Sequence, residues 1–168
     1  MKQELQKHNI APLFDSNSKI LILGSFPSVK SREGAFFYHH PQNRFWKVLA
    51  QVLNQDPPQT IAEKTKLILQ NHIALWDVIG QCEITGSDDN SIKNVVPNDL
   101  RQILETAKIS KIYLNGGKAY SLYQKYMKNI EIEAIKLPST SPANARYSLE
   151  KLCQEWQQIA TELNKKDE

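Results

Sequence analysis

The chain has 168 residues, 40% hydrophobic and 23% charged, a balance that suits a globular domain with a real core and excludes disordered or fibrous architectures. Lys and Arg number 21 against 18 Asp and Glu, a net charge of +3, which permits a nucleic-acid partner without demanding one. Two cysteines, Cys82 and Cys153, are too few for a disulfide framework or for a four-Cys zinc or iron–sulfur site. No apolar run approaches the ~20 residues that span a bilayer, and Met1 to Leu13 carries Lys2, Glu4 and Lys7 without the apolar core of a signal peptide. The expectation is a cytoplasmic domain with no membrane, metal or cofactor.

Four short apolar runs alternate with helical patterns. Lys19 to Ser25 reads as a buried strand of branched residues closed by Gly24. Residues 44–53 and 60–70 follow as helices, the first with Phe45, Val48 and Leu49 on one stripe, the second after the break at Pro57-Pro58. Ile73 to Val78 is the second strand. Residues 98–107 form a helix that Asn98 or Asp99 can cap, Lys111 to Asn115 the third strand, residues 118–128 a helix and Ile132 to Leu137 the fourth strand. Residues 145–163 close the chain as a helix, with Asn144 a candidate cap and 164–168 a frayed tail. Strands alternating with helices predict an α/β domain spanning 1–168, three-layer α/β/α with a central parallel sheet of about four strands.

In such a sheet ligands bind beyond the carboxyl ends of the strands. The connections after the first two strands, 24–43 and 77–94, exceed the usual ~2–6 residues. The first carries Phe36-Phe37-Tyr38, dense aromatics for a loop; lid packing accounts for Phe36 and Phe37, while one ring can serve as a stacking platform. His39 and His40 are adjacent, so their side chains diverge and no zinc site is expected. Asn43 is either a plain N-cap or an amide that orients a water or a base edge. Asp77 is the one carboxylate at a strand end. The third loop, Asn115-Gly-Gly-Lys118, lacks the Walker A spacing. The fourth, Pro138-Ser-Thr-Ser-Pro-Ala-Asn144, sets three hydroxyls between two prolines, suited to gripping phosphates or a groove. There is no nucleophile elbow and no Lys in a plainly apolar niche.

Taken together, Gly24-Ser-Phe-Pro-Ser28, His40-Pro-Gln-Asn-Arg-Phe-Trp46, Gly86-Ser-x-Asp-x-Ser-Ile92, Asn115-Gly-Gly-Lys-Ala119 and Leu137-Pro-Ser-Thr-Ser-Pro-Ala-Asn144 resemble the uracil-DNA glycosylase superfamily. The hypoxanthine (deoxyinosine) branch is the nearest likeness, and the His-Pro-x-Asn-Arg-Phe-Trp-Lys stretch is similar to the mismatch-specific uracil/thymine branch. The resemblance implies a monomeric, metal-free glycosylase of the nucleoid that hydrolyses the N-glycosidic bond of a flipped deaminated base in double-stranded DNA and leaves an abasic site. It assigns catalysis to Asn43, base binding to Gly24, Ser25, Phe26, Tyr38 and Ser139, and DNA contacts to Lys118 and to Ser139, Thr140, Ser141, Pro142, Ala143 and Asn144, the last three as a wedge. Phe26 stands where uracil-specific relatives carry a polar catalytic residue, and Ser139 where they have His or Asn, so hypoxanthine is the expected base. A uracil/thymine mismatch glycosylase and a non-catalytic lesion binder are the alternatives, with a nucleotide-phosphate enzyme built on the third loop last.

Overall fold

The computed structural model describes residues 3–165. Its centre is a four-stranded parallel sheet of β2 (Ile20–Gly24), β3 (Ile73–Asp77), β6 (Lys111–Asn115) and β7 (Glu133–Leu137) in the order β3-β2-β6-β7. Strand β2 is hydrogen-bonded on both sides, Ile20 level with Ile73 and with Lys111, and all five of its residues are buried. That double burial is why its sequence is a continuous apolar run instead of an alternating one. At the sheet edge, β7 reverts to a half-exposed pattern.

Helices flank this sheet. α2 (Phe45–Val52) buries Phe45, Trp46, Val48, Leu49, Ala50 and Val52 and packs on α6 (Leu149–Leu163). α6 buries Leu152, Cys153, Trp156, Ile159 and Ala160, the spacing of one helical stripe. α3 (Ile61–Gln70) opens with a capping box between Thr60 and Glu63 and packs on β3. α5 (Gly117–Tyr126) packs on β6 and β7. The sheet and its flanking helices agree with the expected α/β architecture.

Several expected boundaries differ. The closing helix starts at Leu149, capped by the Ser148 hydroxyl, which accepts from Lys151 N at 3.2 Å, so Asn144 is not its cap. The helix expected over 98–107 contracts to α4 (Arg101–Leu104), because the Asn98 amide donates instead to the strand carbonyls of Asp77 (2.9 Å) and Ile79 (3.1 Å). Within the first long connection lies a short helix, α1 (Val29–Gly34), capped by Ser28. The second is no open loop: β4 (Ile79–Ile84) and β5 (Lys93–Pro97) join β1 (Glu4–Lys7) in an antiparallel sheet of order β1-β4-β5. Their sequences carry little apolar pattern, since β1 and β5 are largely exposed. Of the tail expected to fray, Asn164 caps α6 and Lys165 pairs with Glu162 at 3.0 Å; 166–168 lie outside the described residues. Among the described residues no helix is long and apolar enough to cross a membrane.

Trp156 joins the core to the fourth loop. It is fully buried, meets Phe45 edge-on at 5.8 Å between ring centroids, and donates its indole N–H to Pro138 O at 2.9 Å. Trp156→Phe removes that donor and leaves the carbonyl unpaired. We expect a loss of about 1–3 kcal/mol of stability, read as a lower midpoint in urea unfolding.

Candidate active site

Strand order reverses at β2, whose chain neighbour β3 lies on one side and β6 on the other. The carboxyl ends of these strands therefore border a crevice, as the topology of open parallel sheets requires. A cavity of about 330 Å³ occupies it, at the small end of the ~300–1,000 Å³ range of ligand sites. Of the expected site residues, Gly24, Ser25, Phe26, Tyr38, Asn43 and the segment Ser139 to Ala143 all line this cavity. Asn144 faces the groove that continues from it. Lys118 lines neither; it sits in the first turn of α5, close enough to influence the Asp89 carboxyl.

One hydrogen-bond relay organises the site. Thr140 N donates to Asn115 Oδ1 (3.0 Å), and Asn115 Nδ2 donates to Thr140 Oγ1 (3.0 Å). The Thr140 hydroxyl in turn donates to Asn43 Oδ1, which can only accept, at 2.8 Å. The same oxygen accepts Phe45 N at 2.9 Å. Two backbone N–H groups, which can only donate, thus fix both amide orientations. Both lone pairs of Asn43 Oδ1 are occupied, while Nδ2 makes no hydrogen bond within the described protein. Asn43 offers the cavity a donor and no acceptor.

Thr140 corrects an expectation. Its side chain is 0% exposed and all its polar atoms serve the relay or accept Arg44 N at 3.1 Å, so it cannot grip a phosphate. The other residues of that loop, Ser139, Ser141, Pro142, Ala143 and Asn144, all keep some exposure. Arg44 holds the loop from behind: its guanidinium donates to the carbonyls of Ser141 (3.1 Å), Asn144 (3.0 Å) and Tyr147. Ser139 Oγ accepts Ser141 N and its carbonyl accepts the Asn144 amide, so the turn is also braced internally.

Tyr38 adopts a left-handed backbone, φ 50°, a strained conformation for a bulky residue. Its ring stacks on Phe45 with centroids 3.9 Å apart and planes 15° from parallel, so a guest can stack only on the opposite face. Burial, then the nearby Asp77 charge, push the phenol well above its ordinary value, with Asn115 opposing; the buried hydroxyl stays protonated and lacks a well-formed partner. Gly24 explains the close packing here. A Cβ on it would lie 2.5 Å from Asp77 Oδ1 and 3.3 Å from Tyr38 Oη. Phe26 forms an apolar wall, edge-on to His8 at 6.0 Å and beneath the Arg32 guanidinium at 5.5 Å.

Three polar residues of the site had no assigned role in the sequence reading. His8, just beyond β1, donates Nε2–H to Asp77 Oδ2 at 2.8 Å while its Nδ1 accepts Ile10 N at 3.2 Å, which makes it the neutral tautomer. Sixty-nine positions separate the pair, and no local pattern announces it. Arg44 and Asp89 were visible only as members of motifs. Phe36 and Phe37 are buried packing residues, as expected.

Residues 11–164 match the family model of the uracil DNA glycosylase superfamily. Two relatives described as hypoxanthine DNA glycosylase, from Methanosarcina barkeri and Methanosarcina acetivorans, are 33% and 34% identical over 144 residues, covering 84% of this chain and 90% of each relative. A solution NMR structure from Methanosarcina acetivorans, assigned as a uracil DNA glycosylase, superposes with a TM-score of 0.82 at 31% identity, over 96% of this chain and 100% of that one.

Thr140→Val removes the relay's hydroxyl and keeps its volume. It strands Asn115 Nδ2 and frees one lone pair of Asn43, and we expect a stability loss of about 1–3 kcal/mol in urea unfolding.

Proposed function

The chain belongs to the uracil DNA glycosylase superfamily, and from that premise we propose that it excises hypoxanthine from deoxyinosine in duplex DNA by hydrolysis, leaving an abasic site. The observation that carries this reading is the amide of Asn43, oriented so that only Nδ2 is available to a guest. Cleavage of an N-glycosidic bond leaves negative charge on the departing base and positive charge on the sugar. A donor locked toward the base stabilises the first. One preorganised donor of this kind is worth ~3–4 kcal/mol, roughly a thousandfold in rate. The names of the two Methanosarcina relatives favour hypoxanthine as that base, and Phe26, which has no polar group, favours a base other than uracil.

Each remaining part has a task in this scheme. The nucleotide leaves the stack at a cost of roughly a few kcal/mol, least for a poorly paired deaminated base. The base enters the cavity and stacks on the free face of Tyr38, a contact worth ~1–3 kcal/mol. Pro142, Ala143 and Asn144, held by Arg44, press into the gap, and Ser139 and Ser141 meet the adjoining phosphates. Lys136, at the groove beside the cavity, and Lys118, in the first turn of α5 near Asp89, supply positive charge. The protein acts as a monomer, in the cytoplasm where the nucleoid lies.

Two measurements test the scheme. On an end-labelled duplex with one deoxyinosine, treated with hot alkali, wild type should produce a strand break at that site, and a deoxyuridine duplex should remain largely intact. Asn43→Ala should slow excision by about a thousandfold and still bind the duplex; a variant as fast as wild type removes Asn43 from the mechanism. Duplex affinity should fall with salt at a slope of about −0.9 per neutralised phosphate, measured by fluorescence anisotropy, and a salt-independent Kd contradicts a groove-gripping protein.

A further inference from the structure

Hydrolysis needs more than a leaving-group donor, because the attacking water must lose a proton. Most bases of the cavity are already engaged. Asn43 Oδ1 accepts two hydrogen bonds. The Nδ1 of His40 accepts Gln42 N at 3.1 Å, and that of His8 accepts Ile10 N. Asp77 Oδ2 is tied to His8, and Asp77 lines the cavity without reaching the groove.

Asp89 differs in position. The cavity that takes the base and the groove that takes the backbone share four residues, Ser139, Ser141, Ala143 and Asp89. The bond between base and sugar has to cross that junction, and Asp89 is the one titratable group of the four. We propose that Asp89 is the general base of the excision reaction, which deprotonates the water that attacks C1′. This rests on the reading of the site as a glycosylase and goes beyond it in assigning the water.

The carboxylate is built into place. Asp89 opens a single 3-10 turn (Asp89–Ser91) capped by Asp88. The loop that carries it docks on the first loop through Ser25 Oγ, which donates to Asp89 Oδ1 at 3.1 Å, and through Val29 N, which donates to Ser87 Oγ at 2.9 Å. Arg32 adds a bond to Gly86 O. Oδ2 has no partner within the described protein and is free for a water. A bare carboxylate on a surface that meets phosphates works against binding, so its presence at this point fits a chemical task.

The atoms balance simply. The glycosidic bond breaks with its electron pair leaving on the base. A water oxygen bonds to C1′, its proton passes to Asp89 Oδ2, and that proton returns through solvent to the departed base. The products are an abasic sugar and the free base. Desolvation in the concave mouth raises the Asp89 carboxyl above its ordinary value, Ser25 and Lys118 pull it down, and Asp77 and Asp88 push it up. Since only the ionised form acts as a base, the rate falls as pH drops through that raised value.

The test is single-turnover excision against pH, with wild type, Asp89→Asn and Asp89→Glu, on deoxyinosine and deoxyuridine duplexes, beside duplex Kd. Asn keeps the acceptor for Ser25, so a purely structural role leaves its rate unchanged. We expect Asp89→Asn to lose about 100-fold or more in rate, to lose the acidic limb of the profile, and to bind DNA as tightly as wild type or tighter. Asp89→Glu should keep the limb at a reduced rate. Wild type active on either duplex, with Asp89→Asn within twofold of it or with the same acidic limb, overturns the role of Asp89 alone. Wild type inactive on both duplexes overturns the glycosylase reading and this proposal with it.

Discussion

The site depends on a side chain that never meets solvent. Thr140 receives a hydrogen bond from Asn115, passes one to Asn43, and accepts the backbone of Arg44 on its carbonyl. It therefore joins the ends of β6 and β7 to the start of α2, three elements that approach one another only because β2 and β6 are neighbours in the sheet. The direction of every proton in the relay follows from two backbone N–H groups that cannot accept. An amide that would otherwise turn freely between donor and acceptor is held in one state, and charge stabilisation by a group that need not reorganise is where catalytic sites gain most.

Rigidity behind the cavity is matched by rigidity of its rim. Arg44 spends its guanidinium on three carbonyls of the 141–147 segment, and Trp156 secures the start of the same loop. In the proposed scheme this segment presses into a duplex and must resist being pushed back, and bonds to its backbone provide that resistance whatever side chains it carries. Strain is held nearby: the left-handed Tyr38 is kept in place by its stack on Phe45, a residue of α2 that is itself fully buried. Core packing and the placement of the Tyr38 ring are thus parts of one structure.

The small antiparallel sheet has a corresponding role. It brings His8 to the buried Asp77 carboxylate and carries, between β4 and β5, the turn with Asp89. Without it the cavity would be walled by the parallel sheet's loops alone, with Phe26 as its apolar side. The parallel sheet supplies one carboxylate, Asp77 at the end of β3, which the antiparallel sheet ties through His8, and the antiparallel sheet adds a second, Asp89, open at the mouth.

Local sequence determined the parallel sheet, because strands buried on both faces must be continuously apolar and Ile20 to Leu23, Ile73 to Trp76 and Ile112 to Leu114 are so. It also determined α2, α3 and α5 to within a residue or two, through patterns of apolar residues and the break at Pro57-Pro58. The motifs around Gly24, Asn43 and Ser139 to Asn144 were legible as a set, and they do converge on one cavity and the groove that continues from it. Three things were decided only by the tertiary structure. β1 and β5 have mostly exposed side chains, so nothing in their pattern distinguishes them from loop until they pair with β4. Thr140 reads like its serine neighbours, and only burial separates a relay from a phosphate contact. The donor state of Asn43 and the partners of His8 and Asp89 join residues tens of positions apart, and a hydrogen bond is set by distance and direction in space, which chain order does not contain.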